Sequence, residues 1–256
     1  HARALAGWHE VTEKRGADRL LPRLEENERV LLHAYDLVTQ AVEVNRRIAP
    51  AAEWLLDNFY MVEEQIRTAR KHLPKGYSKE LPRLVRGPLV GHPRVYDIAL
   101  ELISHVDGRV DAVGLSSFVA AYQSVSTLKL GELWAIPIML RLALIENLRR
   151  VAARVAAGRI DRDAASDWAD RLTEMAEKEP RNLIIVMADM AKANPTMSTA
   201  FVAELARRLQ GHHASLAFTM NWIEHRLSEE GQTIEQLVAA EGQQQAADQV
   251  SIGNSI

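Results

Sequence analysis

The chain of 256 residues contains no cysteine, and this single absence removes several kinds of chemistry. Without thiols it can form no disulfide framework, no thiolate zinc site and no cysteine nucleophile. The absence also fits a reducing compartment, in which disulfides are rare.

Motifs for metals, phosphates and nucleophilic hydrolysis are missing as well. The nine histidines are scattered, and the two rings of the one adjacent pair, His212-His213, are not expected to face one point, because neighbours on a helix end point in different directions. The chain has no His-Glu-x-x-His, no Gly-x-x-x-x-Gly-Lys and no Gly-x-Gly-x-x-Gly. A Gly-x-Ser-x-Gly nucleophile elbow is also absent. We therefore predict no metal, no cofactor and no serine hydrolase.

Long apolar runs and a charge surplus are lacking too. The longest uncharged apolar run, residues 133–140, ends at Arg141 and is far shorter than the ~20 residues of a membrane span. A net charge of -3 and the lack of long basic runs argue against nucleic-acid binding. The chain starts at His1 without a signal-peptide pattern and ends without a charged tail. We expect a soluble segment of a longer protein.

Helical periodicity is what the sequence does have, and strand alternation is nearly absent. We predict an all-α fold, either a multi-helix bundle or a solenoid-like helical array, with no sheet. The predicted helices cover approximately 23–48, 50–71, 93–106, 111–126, 131–157, 161–179, 182–192, 195–210, 215–227 and 233–251.

Capping residues and glycines indicate how these helices are organised. Asp111 and the pair Asn194-Pro195 are typical of helix starts, and Thr233 with Gln236 has capping-box spacing. The stretch 72–92, rich in proline and glycine, predicts one long surface loop. Helices shorten after Gly158. We therefore predict a single all-α region over 1–256, with candidate subdomains 1–158 and 159–256.

The helix predicted over 131–157 is the most apolar, and we expect it to be central and buried. Arg141, Glu146 and Asn147 interrupt its apolar residues, and a buried charge is costly unless it is paired. We predict that these groups pair with the helix over 50–71, through Glu63, Glu64 or Arg67.

Paired carboxylates offer the main enzymatic alternative. Glu53 and Asp57 share a helix face, while Glu132 and Glu146 bracket the apolar helix. Glycoside hydrolysis requires two carboxylates about 5–10 Å apart. The simpler interpretation is that carboxylates on helices face solvent or pair with arginine, and that aromatic residues at helical spacing lie in the core. A helical module that binds or cleaves carbohydrate stays as the alternative, and a free-standing helical adaptor is a third interpretation.

Four strings carry a resemblance to a known family. They are residues 21–32 (LPRLEENERVLL), 52–67 (AEWLLDNFY and EEQIR), 131–142 (GELWAIPIMLRL) and 243–256 (QQQAADQVSIGNSI). All four resemble bacterial cyclic β-1,2-glucan synthases, and the likeness extends over essentially the whole chain past about Leu20.

The resemblance implies that the parent protein is a very large enzyme of the bacterial inner membrane. Such an enzyme polymerises glucose from UDP-glucose into β-1,2-glucan and then cyclises the product. This segment is similar to the cytoplasmic amino-terminal region, upstream of the catalytic modules. The implied partners are the glycosyltransferase and membrane domains of the same polypeptide. The motifs known as catalytic in the family lie outside this chain, so no catalytic residue is carried over.

We predict that ten positions form a structural or interface network and not a catalytic site. They are Glu53, Trp54, Asp57, Asn58, Tyr60, Glu64, Arg67, Glu132, Trp134 and Arg141. If Trp134 lies in the core, its replacement by alanine costs about 3–5 kcal/mol of stability. A folded Trp134→Ala variant with unchanged stability instead places the indole outside and favours an interface.

Overall fold

The structure is a computed structural model that describes residues 1–73, 76–210 and 216–255. Over these residues the chain is predominantly helical, which confirms the all-α prediction. The helices are α1 (Ala2–Trp8), α2 (Leu20–Glu43), α3 (Pro50–Asp57), α4 (Phe59–His72), α5 (Arg94–His105), α6 (Ala112–Gln123), α7 (Leu130–Lys178), α8 (Leu183–Ala193), α9 (Thr199–Leu209), α10 (Ala217–Glu229) and α11 (Ile234–Gly253). Short 3₁₀ turns lie at Tyr77–Glu80 and Pro180–Asn182.

Two very short strands depart from the purely helical prediction. β1 (Val11–Thr12) pairs antiparallel with β2 (Arg83–Leu84), and Val11 lies opposite Leu84. The buried Arg83 guanidinium holds this region together, because it donates to the carbonyls of Ala17 at 2.7 Å and Gly16 at 3.2 Å. Strands of two residues are too short to produce a recognisable period-2 pattern, so the sequence could not predict them.

The chain forms two compact units. The first contains His1–Ala153 together with the chain from Asp248 onward, and the second contains Arg154–Ala247. α7 and α11 each supply residues to both units. The subdivision at Gly158 stays a prediction.

In the first unit, buried residues on α2 and α7 recur at helical spacing. α2 buries Leu24, Leu31, Ala34 and Val38, and α7 buries Ala135, Met139, Leu142, Ile145 and Leu148. The end of α11 completes this unit, because Asn147 donates to the hydroxyls of Ser251 at 3.0 Å and Ser255 at 2.9 Å. Ile252 is fully buried beside them in sequence.

The helix predicted over 50–71 is two helices, separated at Asn58. The side chain of Asn58 donates to the carbonyl of Trp54 at 2.9 Å, and its backbone leaves the helical region with ψ at 12°. Asparagine side chains compete for backbone groups in this way and interrupt helices. Buried positions continue in phase across the break at Leu55, Phe59, Val62, Ile66 and Ala69.

The predicted interruption at Gly158 is wrong, because α7 continues through that glycine to Lys178. A helical glycine costs only about 1 kcal/mol relative to alanine. The neighbouring residues of α7 are buried, among them Val155, Ala156 and Arg159. Tertiary packing therefore overrides the local preference of the glycine.

In the second unit, α8, α9 and α10 surround a core that includes Leu172, Met190, Phe201, Leu205 and Leu227.

The predicted cap at Asn194-Pro195 is wrong. Asn194 ends α8 with φ at 48°, and the N-cap of α9 is Ser198, whose hydroxyl accepts from the amide of Phe201 at 3.2 Å. The capping box is confirmed, since Thr233 and Gln236 exchange side chain–amide bonds at 3.1 and 3.2 Å.

Two glycines test how far backbone conformation alone controls stability. A Cβ atom would meet nothing within 4 Å at Gly242 or at Gly231, but Gly231 has φ at 71° and ends α10. We expect Gly242→Ala to stabilise the chain by about 0.5–1 kcal/mol, because alanine has less freedom to lose in a helix. Gly231→Ala should destabilise it by about 1 kcal/mol. Urea unfolding of the two variants measures both effects, and effects of equal sign would contradict the assignment.

Candidate functional site

Two carboxylates on α7 lie out of contact with water. The Glu132 side chain is 0% exposed and Glu146 is 2% exposed. Burial strongly disfavours an ionised carboxylate unless it is paired and hydrogen-bonded. The partners of these two side chains therefore define the polar interior of the first unit.

Glu132 forms a bidentate ion pair with Arg94, the first residue of α5. Arg94 Nε donates to Oε1 at 2.7 Å, and Nη2 donates to Oε2 at 2.8 Å. The same guanidinium donates to the Ser126 hydroxyl at 2.9 Å and the Thr127 carbonyl at 2.7 Å. The amide of Lys129 donates to Glu132 at 2.9 Å. The hydrogen bond to Glu132 raises the pKa of Arg94 above its ordinary value, against the opposing effect of burial.

A chain of hydrogen bonds through His9 lies next to this ion pair. His9 Nδ1 is 2.8 Å from the Tyr122 hydroxyl, and Nε2 is 3.0 Å from Asp97 Oδ2. The Arg94 guanidinium carbon lies 6.0 Å from the Tyr122 ring centroid, and burial raises the pKa of the Tyr122 phenol. A Tyr–His–Asp series could in principle relay a proton. Because Tyr122 is fully buried, the series instead fastens the end of α1 to α5 and α6.

Glu146 is held by arginines from two helices. Arg23 of α2 donates to its carboxylate at 2.9 and 2.5 Å, and Arg149, one turn further along α7, donates at 3.1 and 2.9 Å. Burial alone would raise the pKa of the Glu146 carboxyl. The hydrogen bonds from Arg23 and Asn27, with the charge of Arg149, outweigh that effect and lower the pKa below 4.5.

The predicted pairing of α7 with Glu63, Glu64 or Arg67 is wrong. Those three side chains are exposed. Arg141 instead donates to the Gln65 side chain at 2.8 Å, and Asn147 reaches the hydroxyls near the end of α11. The arginines from other helices that pair with Glu146 and Glu132 come from α2 and the start of α5. Nothing in local spacing indicates which distant arginine faces a buried glutamate.

The ten predicted positions separate into inward and outward groups. Glu132 is buried, while Trp54, Asn58 and Arg141 are partly exposed. Six side chains are exposed: Glu53, Asp57, Tyr60, Glu64, Arg67 and Trp134. The Trp134 side chain, at 76% exposure, lies outside the core predicted for its helix. The structure does not bring these residues into one site.

Sequence reasoning missed the groups that complete the buried network. Arg23, Arg94, His9, Asp97 and Tyr122 all belong to it. One usable signal is the position of Arg94 directly after Pro93, at a helix start that continues with Val95 and Tyr96. An arginine on a predicted buried face requires a carboxylate partner, although its sequence gives no location for that partner.

A cavity of about 280 Å³ lies in the second unit. Its lining includes Asn194, Met197, Ser198, Arg226 and Glu230. Glu230 is the single carboxylate among the lining residues, so the cavity lacks the carboxylate pair of a glycosidase. Over the residues described here, no group of three or more His, Asp or Glu side chains could hold a metal ion.

No helix within the described ranges combines the length and apolar character that a membrane span requires. No protein-family model matches the chain. The chain is 35% identical over 235 residues, or 91% of its length, to the cyclic beta-(1,2)-glucan synthase NdvB of Rhizobium meliloti (strain 1021). The resemblance to the cyclic glucan synthases is confirmed. The chain spans about 8% of the length of this synthase.

The Arg94–Glu132 pair yields a prediction about stability. Replacing Arg94 by methionine leaves the buried Glu132 carboxylate unpaired, so we expect a loss of about 3–5 kcal/mol in the free energy of unfolding. Arg94→Met combined with Glu132→Leu should recover most of that loss, because no buried charge is then left alone. Urea unfolding of both variants measures the coupling. A double variant as unstable as Arg94→Met would contradict this account.

The lowered pKa of Glu146 yields a prediction about acid stability. The unfolded state binds the proton more tightly than the folded state, so the contribution of Glu146 is present above pH 4.5 and is lost as the pH falls through its folded pKa. In Glu146→Gln, the free energy of unfolding should therefore fall less steeply between about pH 5 and pH 3. The exposed Glu25→Gln, which makes the same change in charge, should retain the wild-type slope.

Proposed function

We propose that this chain is a non-catalytic helical accessory region of a cyclic β-1,2-glucan synthase. The parent would make β-1,2-glucan from UDP-glucose at the cytoplasmic face of the bacterial inner membrane. The observation that carries the proposal is the alignment of 91% of the chain with only 8% of such a synthase. On this proposal, transfer of glucose belongs to the remainder of the synthase.

The positions of Glu132 and Glu146 on α7 favour a structural role for these two carboxylates over a role in glycoside cleavage. Glu132 and Glu146 are fourteen residues apart on one helix, which separates them by roughly 21 Å at 1.5 Å per residue. Glycosidase carboxylates lie about 5–10 Å apart, with a sugar between them. Both carboxylates are also occupied by arginine. Their chemistry is that of structural ion pairs.

The surface next to α7 supports contact with other domains. Arg141 bonds to Gln65, and the Tyr77 hydroxyl donates to the Gly131 carbonyl at 3.4 Å, so α4 and the 3₁₀ turn lie beside the start of α7. Leu130 and Trp134 are exposed on that stretch, and we call these two residues the Trp134 patch. Exposed large apolar side chains that adjoin one another are typical of protein–protein contacts. The proposed partners are the glycosyltransferase and membrane domains of the same polypeptide.

Substitution in the Trp134 patch tests the proposed contact. We expect Leu130→Ser with Trp134→Ala to change the unfolding free energy of the chain by less than about 0.5 kcal/mol, since both side chains are exposed. The same double substitution in the full-length synthase should reduce formation of β-1,2-glucan from UDP-glucose in membranes. Val113→Ala, at a residue 77% exposed on α6, serves as the control.

Either of two results would contradict the proposal. Unchanged glucan formation in the patch variant would remove the proposed interface. Release of glucose or oligosaccharides from β-1,2-glucan by the purified chain would remove the non-catalytic role and favour the carbohydrate-cleaving alternative.

A further inference from the structure

A row of exposed side chains runs along α3 and α4, on the side opposite their buried residues. We call it the outward row: Glu53, Asp57, Tyr60, Glu64, Arg67 and Lys71. Successive members are four, three, four, three and four residues apart. The buried positions from Leu55 to Ala69 follow the same alternation, so the row keeps its direction through the break at Asn58. The five intervals average 3.6 residues, the period of the α-helix, so the row lies along one helix face.

The charges of this row have no partner within the described residues. None of its five charged side chains forms an ion pair or a side-chain hydrogen bond in that part of the chain. The neighbouring Arg70, by contrast, pairs with Glu28 at 2.6 Å. At the middle of the row, the Tyr60 side chain is 66% exposed. The row therefore presents charge and an aromatic ring outward without using them internally.

The charges along the row are sorted by sign, so that like charges lie one turn apart. Glu53 and Asp57 place two negative charges four residues apart, and Arg67 and Lys71 place two positive charges four residues apart. Like charges at this spacing destabilise a helix, and alternation of sign would stabilise it. A solvated helix face usually mixes its signs. Sorting acids to one end and bases to the other instead matches a partner with the reverse order.

We propose that the partner is a second copy of this chain, packed antiparallel along the outward row. The members of the row are symmetric about position 62: Glu53 and Lys71 are nine residues from it, Asp57 and Arg67 five, and Tyr60 and Glu64 two. A two-fold axis at that level sets Glu53 against Lys71 of the other copy, and Asp57 against Arg67. Self-complementary pairing of this kind is what a two-fold interface requires.

The expected dimer is weak and sensitive to salt. The first and last members of the row are eighteen positions apart, or roughly 27 Å along a helix. One helix pair of that length falls short of a standard interface, and exposed ion pairs contribute little each. Association should consequently depend on protein concentration and decrease as salt screens the charges. This inference does not rest on the proposed function, because an accessory region that stays monomeric could still support a synthase.

Sedimentation equilibrium of the chain at about 0.05 M and about 0.5 M NaCl tests the proposal. One variant, Glu53→Lys with Asp57→Lys, makes both ends of the row basic, and another, Arg67→Glu with Lys71→Glu, makes both ends acidic. Each variant alone should self-associate at least about tenfold more weakly than the wild type, because four attractive pairs become repulsive. An equimolar mixture of the two should form a heterodimer at least as tight as the wild-type dimer. Glu25→Lys with Arg29→Glu, at exposed positions on α2, is the matched control.

Restored association in the mixture supports the antiparallel row pairing, since a loss of folding in either variant could not be repaired by mixing. Circular dichroism of each variant checks the helical content independently. A wild-type chain that stays monomeric at about 1 mM protein in low salt overturns the proposal. The row would then be a surface for a different protein. Equal self-association of the wild type and both variants overturns it too.

Discussion

The ion pair between Arg94 and Glu132 constrains much of the first unit. Its side chains are almost completely buried, so each charge depends on the other for compensation. Arg94 is the first residue of α5, and Glu132 lies in the first turn of α7. Bonds to Ser126, Thr127 and Lys129 fix the segment that joins α6 to α7. Through Tyr122 and Asp97, the same cluster also holds His9 at the end of α1.

Local features of the fold were predictable because their causes lie within a few residues. Apolar periodicity gave most of the helices, Asp111 caps α6 through a bond to the Gly114 amide, and Thr233 begins α11. Pairings between distant residues were not predictable. Glu146 binds Arg23, which is 123 positions away, and Arg94 binds Glu132, 38 positions away. Composition alone also misplaced Trp134, since an apolar helix can still turn an indole toward solvent.

The candidate site shows the same division. Family resemblance drew attention to Trp134, Tyr60 and Glu64, and the structure places all three on the outside. The charged groups with the strongest electrostatic interactions are buried, and they pair with one another. A domain of this kind keeps its reactive side chains occupied in holding helices together and presents aromatic and charged residues to its surroundings. That arrangement suits a part that organises neighbours, and it agrees with the proposed role beside a synthase.

The return of α11 to the first unit has a consequence for the order of folding. Asn147 is bonded to Ser251 and Ser255, and the Asn254 side chain donates to the Asp107 carbonyl at 3.1 Å. The first unit is thus interrupted in sequence by the whole of Arg154–Ala247. During synthesis from the amino terminus, the residues from Asp248 onward that complete the first unit leave the ribosome only after the second unit has emerged. The first unit is therefore synthesised first but completed last. Asn147 lacks its hydroxyl partners until Ser251 and Ser255 have been made.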